Sequence, residues 1–401
     1  MKVLFLTIGR MESIENKGLY TDLLRCFREK NHEIYTVSPY QRRENKKTSL
    51  IKENGTNMLH VRIGNITKCS IIEKGISTLL IETQFIKAIK KYFKGIKFDL
   101  VIFTTPPITF AKVIKFIKKR DNAKTYLLLK DIFPQNAVDI GMMTKSGLKS
   151  IIYKVFRKKE EDLYRISDKI GCMSQANVAF VLNNNRFVNP ENVHVCPNAI
   201  EVADYEKNIE KRREIREKWG IPQDKTVFIY GGNLGRPQGI PLLIDCLQAN
   251  KDKTDRFFVV CGKGTEYGKL KAYYETEKPA NLLLINGLPK EEYDEFVKAF
   301  DVGLIFLDHR FTIPNFPSRL LSYMQAKMPV ICCTDPNTDI GMVAEKGGFG
   351  VWCESNDPAN FTAAVDKMLS SDLNAMGEAG YNYLQEHYTA EKACDILLSN
   401  I

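Results

Sequence analysis

Residues 227–240 read VFIYGGNLGRPQGI, a β-branched and aromatic run that breaks into glycines and resumes as PLLIDCLQA with apolar residues at helical spacing. A strand that turns through glycine into a helix suits a phosphate, because helix N-terminal amides and their dipole favour an anion. The dinucleotide spacing Gly-x-Gly-x-x-Gly is absent here. A second constellation is IPNFPSRLLSYMQAKMPVI at 313–331. Pro317 just before a helix, with Ser318 in its first turn, suits a helix start, and Ser318 and Arg319 add donors for an anion. A third is LLLKDIFPQNAVDIG at 127–141, which ends a strand on Lys130 and Asp131 and reaches Gln135 after a turn. Asp131 is the carboxylate there, fit to orient a reacting hydroxyl or to cap the turn.

Elements must hold these groups in place, and the chain alternates strands with helices. KVLFLTIG, HEIYTVSP, FDLVIFTT, KTYLLLKDIF and DKIGCMS are expected strands of the first half, with helices between them. After ENVHVCPNAIEVADYE, a Pro-Asn turn and candidate hinge, the rhythm restarts with TVFIYGGNLG, RFFVVCGKG, ANLLLINGLP, FDVGLIFLD and MPVICCTD. Short strands without strict alternation, separated by helices, predict parallel sheets covered on both faces. The expected architecture is α/β, two doubly wound, Rossmann-like domains facing across a cleft at the carboxyl ends of their strands. The expected domains are 1–197 and 198–387, with a last helix at about 388–401 packing back on the first.

At 401 residues the chain exceeds what one core usually serves, and 44% apolar with 26% charged residues describes a folded globular protein. No apolar run approaches the roughly 20 residues that span a bilayer. MKVLFLTIGR lacks the length and cleavage site of a signal peptide, so a cytoplasmic location is expected. Ten cysteines include no Cys-x-x-Cys pair, and five histidines cluster with nothing. They predict small core residues in a reducing compartment and no metal site.

The net charge of +10 is uneven. Residues 1–198 carry 35 Lys and Arg against 18 Asp and Glu, and the remainder carries 23 against 30. The excess gathers in FIKAIKKYFKGIK (85–97), FAKVIKFIKKR (110–120) and GLKSIIYKVFRKK (147–159). Lysines interleaved with Ile, Phe and Val suit a helix lying on an anionic membrane, with Lys87, Lys90, Lys91, Lys94, Lys115 and Lys118 as its contacts. They equally suit amphipathic helices with lysines in water. No nucleic-acid motif accompanies the charge, so nucleic acid is not an expected partner.

With these motifs in order, the sequence resembles the GT-B glycosyltransferases, specifically the large retaining glycosyltransferase family four. Within it the likeness is to bacterial enzymes of capsule, O-antigen and exopolysaccharide assembly, including N-acetylfucosamine transferases. The matching stretches are GNLGRPQG, VCGKGTE, NGLPKEEYDEFVKAFDVGLIFL, FPSRLLSYMQAKMPVI, PNAIE and KDIFPQNAVDIGM. The resemblance implies that the second domain holds a nucleotide diphosphate sugar, UDP-linked by preference, as co-substrate, without a cofactor. Gly231, Gly232, Asn233, Gly235 and Gly262 would let backbone approach the diphosphate. Asn233 and Gln238 stand where relatives carry Arg and Lys, so Arg236 is the substitute charge, joined by Pro317, Ser318, Arg319 and Ser322.

The resemblance places Asp131 and Lys130 on the acceptor side, with Gly9 and Gly18 in the loop after the first strand. It implies transfer of an N-acetylated hexosamine or deoxyhexosamine, with retention, to a polyprenyl-diphosphate-linked saccharide at the inner face of the cell membrane. The chain departs from the pattern where relatives carry Glu-x7-Glu, since Pro314 and Ser322 replace both glutamates. No Asp-x-Asp occurs, the pair that the other glycosyltransferase fold uses to hold a metal. Two other classes remain at this point: a non-catalytic scaffold of the same fold, and a nucleotide-sugar epimerase.

Overall fold

The computed structural model describes residues 1–147, 150–206 and 208–401. The chain divides into two compact units, Met1–Glu201 with Thr389–Ile401, and Val202–Tyr388. The expected boundary at 197/198 falls four residues early, because PNAIE still belongs to the first unit.

Among the described residues, eight strands form the sheet of the first unit. They are β1 (Lys2–Leu6), β2 (Glu33–Gln41), β3 (Ser49–Glu53), β4 (Thr56–Ile63), β5 (Leu100–Thr104), β6 (Lys124–Leu129), β7 (Lys169–Cys172) and β8 (Val193–Val195). Their order is β3-β4-β2-β1-β5-β6-β7-β8, parallel except where β3 pairs antiparallel with β4. The purely parallel expectation missed this hairpin, although its turn was in the sequence. Asn54 and Gly55 take φ values of 45° and 77°, the left-handed pair that a tight two-residue hairpin turn demands. The helices are α1 (Leu19–Glu29), α2 (Ile71–Tyr92), α3 (Ala111–Asp121), α4 (Gln135–Asp139), α5 (Ser150–Ile166) and α6 (Gln175–Asn184). Leu148 and Lys149, in the third basic stretch, lie outside the described residues.

The central strands are apolar on both faces because helices cover both; all of Leu100–Thr104 is buried. Each strand–helix–strand unit returns the chain, so α2, α3 and α5 begin at the carboxyl edge of the sheet and run back along it. Three successive crossovers in one direction put them on one face, with α3 packed between α2 and α5.

The second unit contains β9 (Thr226–Asn233), β10 (Arg256–Lys263), β11 (Leu282–Ile285), β12 (Val302–Phe306), β13 (Val330–Thr334) and β14 (Gly350–Glu354). They form an all-parallel sheet in the order β11-β10-β9-β12-β13-β14. Its helices are α7 (Ile209–Lys218), α8 (Ile240–Ala249), α9 (Tyr267–Glu277), α10 (Lys290–Phe296), α11 (Arg319–Gln325), α12 (Ile340–Lys346), α13 (Pro358–Leu369) and α14 (Leu373–His387). The order reverses at β9, where β10 lies on one side and β12 on the other. Such a switch point opens a crevice at the carboxyl ends, and the glycine turn sits there.

The last helix, α15 (Ala390–Ser399), belongs to the first unit. The Ala390 amide donates to the Ile200 carbonyl at 2.9 Å, and Ala393, Cys394 and Leu397 join the core around Phe27 and Cys26. Nine of the ten cysteines are buried; Cys69 is partly exposed.

Candidate donor and acceptor sites

The glycine turn of the second unit is built against β10. β9 and β10 pair in parallel to their last residues, Gly232 beside Gly262 and Asn233 beside Lys263. The chains close up so far that a Cβ on Gly262 would stand 2.2 Å from the Gly232 carbonyl oxygen. Gly262 is therefore required by β9 itself. Gly231 has a similar reason: a Cβ there would lie 1.7 Å from the Tyr293 hydroxyl, which α10 brings over the strand end. Exchanging Gly231 for Ala is expected to cost about 1–3 kcal/mol by overpacking. In a denaturant series the added loss should shrink when Tyr293 is also Ala, because the clash is then gone; strict additivity would show the contact is not felt.

Beyond the strand the turn is held by Gln238. Its Oε1 accepts from Asn233 Nδ2 at 3.0 Å and from the Gly235 amide at 3.1 Å. Asn233 and Gln238, in the places of the relatives' cations, thus clasp one another. Arg236 is exposed, with its Nε 3.8 Å from a Glu266 carboxylate oxygen. Glu266 is nearly buried and is also paired with Lys269 at 2.5 Å.

Arg319 differs from Arg236. Its guanidinium lies over the Tyr230 ring, 4.4 Å from the centroid, and its Nη2 is 3.5 Å from where a Cβ on Gly232 would be. Gly232 takes a φ of 119°, open to glycine alone, and leaves that approach clear. No carboxylate pairs with Arg319 among the described residues, and its buried Nη1 has no hydrogen-bond partner. A buried cationic N–H without an acceptor carries the full cost of its lost hydration.

Tyrosines surround this cation. Tyr323, one helical turn beyond Arg319, is fully buried. Its hydroxyl accepts from the Gly231 amide at 3.1 Å and lies 3.2 Å from the Ile229 carbonyl. Burial pushes its pKa up to about 12, while Arg319 draws it down. Burial likewise raises Tyr230, whose hydroxyl donates to the Asn233 carbonyl at 2.7 Å. Sequence reasoning missed all three tyrosines of this cage, Tyr230, Tyr293 and Tyr323. The spacing of Arg319 and Tyr323 on one helix face was the available signal for one of them.

The helix start lies one residue later than expected. Ser318 is the N-cap of α11 and makes no side-chain cap bond, while Ser322 is partly buried within a helix of seven residues. Pro317 precedes the cap, its carbonyl accepting from the Leu320 amide at 3.2 Å. Pro314 is buried in the preceding loop.

In the first unit, Thr105 Oγ1 accepts from the amides of Lys130 at 3.0 Å and Asp131 at 3.2 Å, fixing the end of β6 to the loop after β5. The Asp131 carboxylate takes Asn136 Nδ2 at 2.7 Å, so it also braces the turn into α4. Burial raises its pKa, against the hydrogen bonds from Asn136 and the Ile132 amide. Lys130 does not pair with Asp131. Its Nζ lies 3.5 Å from the Cys196 carbonyl, and burial brings its pKa down to about 8. Gly9 is exposed, its amide donating to Thr7 Oγ1 at 2.9 Å. Gly18 caps α1 and donates to Asp22 Oδ1 at 2.9 Å.

Known proteins resemble this chain in sequence and in fold. Residues 211–383 match the family model described as Glycosyl transferases group 1. The probable glycosyltransferase WbjE of Pseudomonas aeruginosa is 24% identical over 327 residues, 80% of this chain and 78% of that protein. The putative colanic acid biosynthesis glycosyl transferase WcaI of Escherichia coli K12 is 20% identical, covering 68% of this chain and 66% of its own length. Among solved structures, Anabaena HepE in complex with UDP and glucose superposes with a TM-score of 0.70 at 11% identity, over 100% of this chain and 98% of that one. The chain is thus a glycosyltransferase of the GT-B fold, whose residues 211–383 are similar to glycosyl transferases group 1.

Proposed function

We propose that this glycosyltransferase moves a sugar from a nucleoside diphosphate donor to a saccharide acceptor during assembly of a bacterial surface polysaccharide. The observation that carries the donor half is Arg319, an unpaired cation at the end of β9 with a free buried N–H. A diphosphate supplies the missing acceptor and the missing charge. As the sugar departs, negative charge grows on the leaving diphosphate, and a fixed guanidinium stabilises it without reorganising. Arg319 fills that role without a metal ion. The UDP held by HepE and the colanic acid pathway named for WcaI support UDP as nucleotide and polysaccharide as product.

On the acceptor side, Asp131 orients the incoming hydroxyl and Lys130 adds a donor beside it. The sugar is an N-acetylated hexosamine or deoxyhexosamine, transferred with retention. The acceptor is a saccharide on polyprenyl diphosphate, met at the inner face of the cell membrane.

A thermal-shift panel of UDP, GDP and UMP in the presence of a chelator tests the donor site. At a hundredfold excess over Kd a ligand of the folded state adds about 2.7 kcal/mol, so UDP should raise the melting temperature and UMP much less. No response to any nucleoside diphosphate would sink the proposal. Incubation with UDP-sugars alone then separates the chemistries. An epimerase alters the sugar without acceptor, a transferase shows at most slow hydrolysis, and a scaffold leaves the sugar untouched.

A further inference from the structure

The first unit exposes large aliphatic side chains in two groups. On α2, Ile76, Leu79 and Leu80 follow i, i+3, i+4 spacing and face solvent, and on α5 Ile151, Ile152 and Val155, at i, i+1 and i+4, are likewise exposed. Leu79 is 66% exposed and Leu80, the least of the six, 49%. Scattered exposed aliphatics need no explanation, but contiguous groups rimmed by polar residues mark a surface that meets something apolar. Both groups lie in the first halves of their helices, hence at the carboxyl edge of the sheet, the edge that carries Lys130 and Asp131. With α3 between them, two interaxial spacings separate the groups, roughly 20 Å.

The charge around them is of one sign. Lys68, Lys74, Lys112, Lys145 and Lys154 are exposed at this end of the unit, and no ion pair joins any of them among the described residues. Nearby acids are already engaged. Glu73 pairs with Arg42 at 2.8 Å, and buried Glu82 accepts from the Lys112 amide at 2.7 Å. On α5 the acids begin only at Glu160, where Arg157 and Lys158 meet them. Most of the lysines expected from sequence to meet a membrane lie elsewhere. Lys87, Lys90, Lys91 and Lys94 occupy the far end of α2 and the turn after it, about 16 Å from Leu79 at the helical rise. Lys115 sits mid-way along α3, and Lys118 is bound to Asp168 at 2.6 Å.

We propose that the aliphatic groups of α2 and α5, with their unpaired lysines, seat the first unit on an anionic lipid bilayer. The proposal rests on the reading of the acceptor as lipid-linked. Shallow insertion of six aliphatic side chains and attraction of lysines to anionic headgroups act together, as in interfacial helices. Attachment at this edge brings Asp131 close to the headgroup layer, so a lipid-bound saccharide reaches it without leaving the membrane.

Sedimentation of the full chain with vesicles of phosphatidylcholine, with and without phosphatidylglycerol, tests this. Binding is expected only to the anionic vesicles and should weaken with salt. The double variant Leu79→Gln/Ile152→Gln should lower affinity about tenfold or more, as should Lys145→Glu/Lys154→Glu. Lys90→Gln/Lys91→Gln at the far end should change it less than threefold or so. The UDP-induced thermal shift should be the same in all three variants, which separates failure here from failure of the donor site. Indifference to anionic vesicles overturns the proposal. So does vesicle binding that survives the first two changes, or a dimer in solution that Leu79→Gln/Ile152→Gln converts to monomer.

Discussion

Arg319→Ala is expected to weaken UDP binding by about 10- to 100-fold, the equivalent of roughly 1.5–3 kcal/mol for charge-assisted bonds to a diphosphate. The guanidinium lies over the Tyr230 ring beside Gly232, and its free buried N–H is poised for an anion. Arg319→Lys should recover little, because an ammonium neither stacks on the ring nor offers a planar pair of donors. Arg236→Ala makes the internal comparison. Its side chain is exposed and faces Glu266, so its field is partly cancelled and screened, and a loss of only a few-fold is expected. Titration calorimetry with UDP measures all three. Equal and small losses for Arg236→Ala and Arg319→Ala would remove Arg319 from the donor site.

The fold was legible because its information is local. The apolar runs of parallel strands and the periodic helices between them both follow from covering a sheet on two faces, and the motif order then pointed to GT-B. The antiparallel hairpin was equally local, but its Asn54-Gly55 signal went unread. What the residues could not show was which neighbour a side chain meets across the fold. Gly231 read as a phosphate contact, yet the space beside it belongs to Tyr293, brought by a helix far along the chain. Asn233 and Gln238 read as lost cations and hold each other. Arg236 and Arg319 looked alike as arginines near glycine. Only packing separates one tied to an acid in solvent from one held on a tyrosine with no acid. On the basic helices, periodicity gave an apolar side and a charged side but could not show that Ile76, Leu79 and Leu80 stay outside the core.

Asp301→Ala is expected to destabilise the second unit by about 3–5 kcal/mol, the usual cost of leaving a buried charge without its partner. Asp301 sits just before β12, at the amino edge of the sheet and opposite the glycine turn. Its Oδ2 accepts from Arg216 Nη2 at 2.7 Å and from the Val227 amide at 2.8 Å, and its Oδ1 from Arg212 Nη2 at 2.6 Å. Arg216 is fully buried, and its other donors reach the carbonyls of Ala299 at 2.8 Å and Pro222 at 3.1 Å. Burial pulls the Arg216 pKa down and Asp301 pulls it back, so the carboxylate is what keeps that cation tolerable inside. Removing the carboxylate strands the cation and frees the Val227 amide at the start of β9. For a unit of this size each kcal/mol moves Tm by about 2–4 °C, so a fall on the order of 10 °C should appear by calorimetry. Arg216→Met, which removes the buried charge along with its bonds and leaves Arg212 on Asp301, should cost less than Asp301→Ala. Because the network stands at the edge away from Arg319, the fraction that remains folded should bind UDP with unchanged affinity. A stable Asp301→Ala protein would show that the carbonyls around Arg216 suffice to hold it, and weakened UDP binding at full stability would place Asp301 in the donor site instead of the scaffold beneath it.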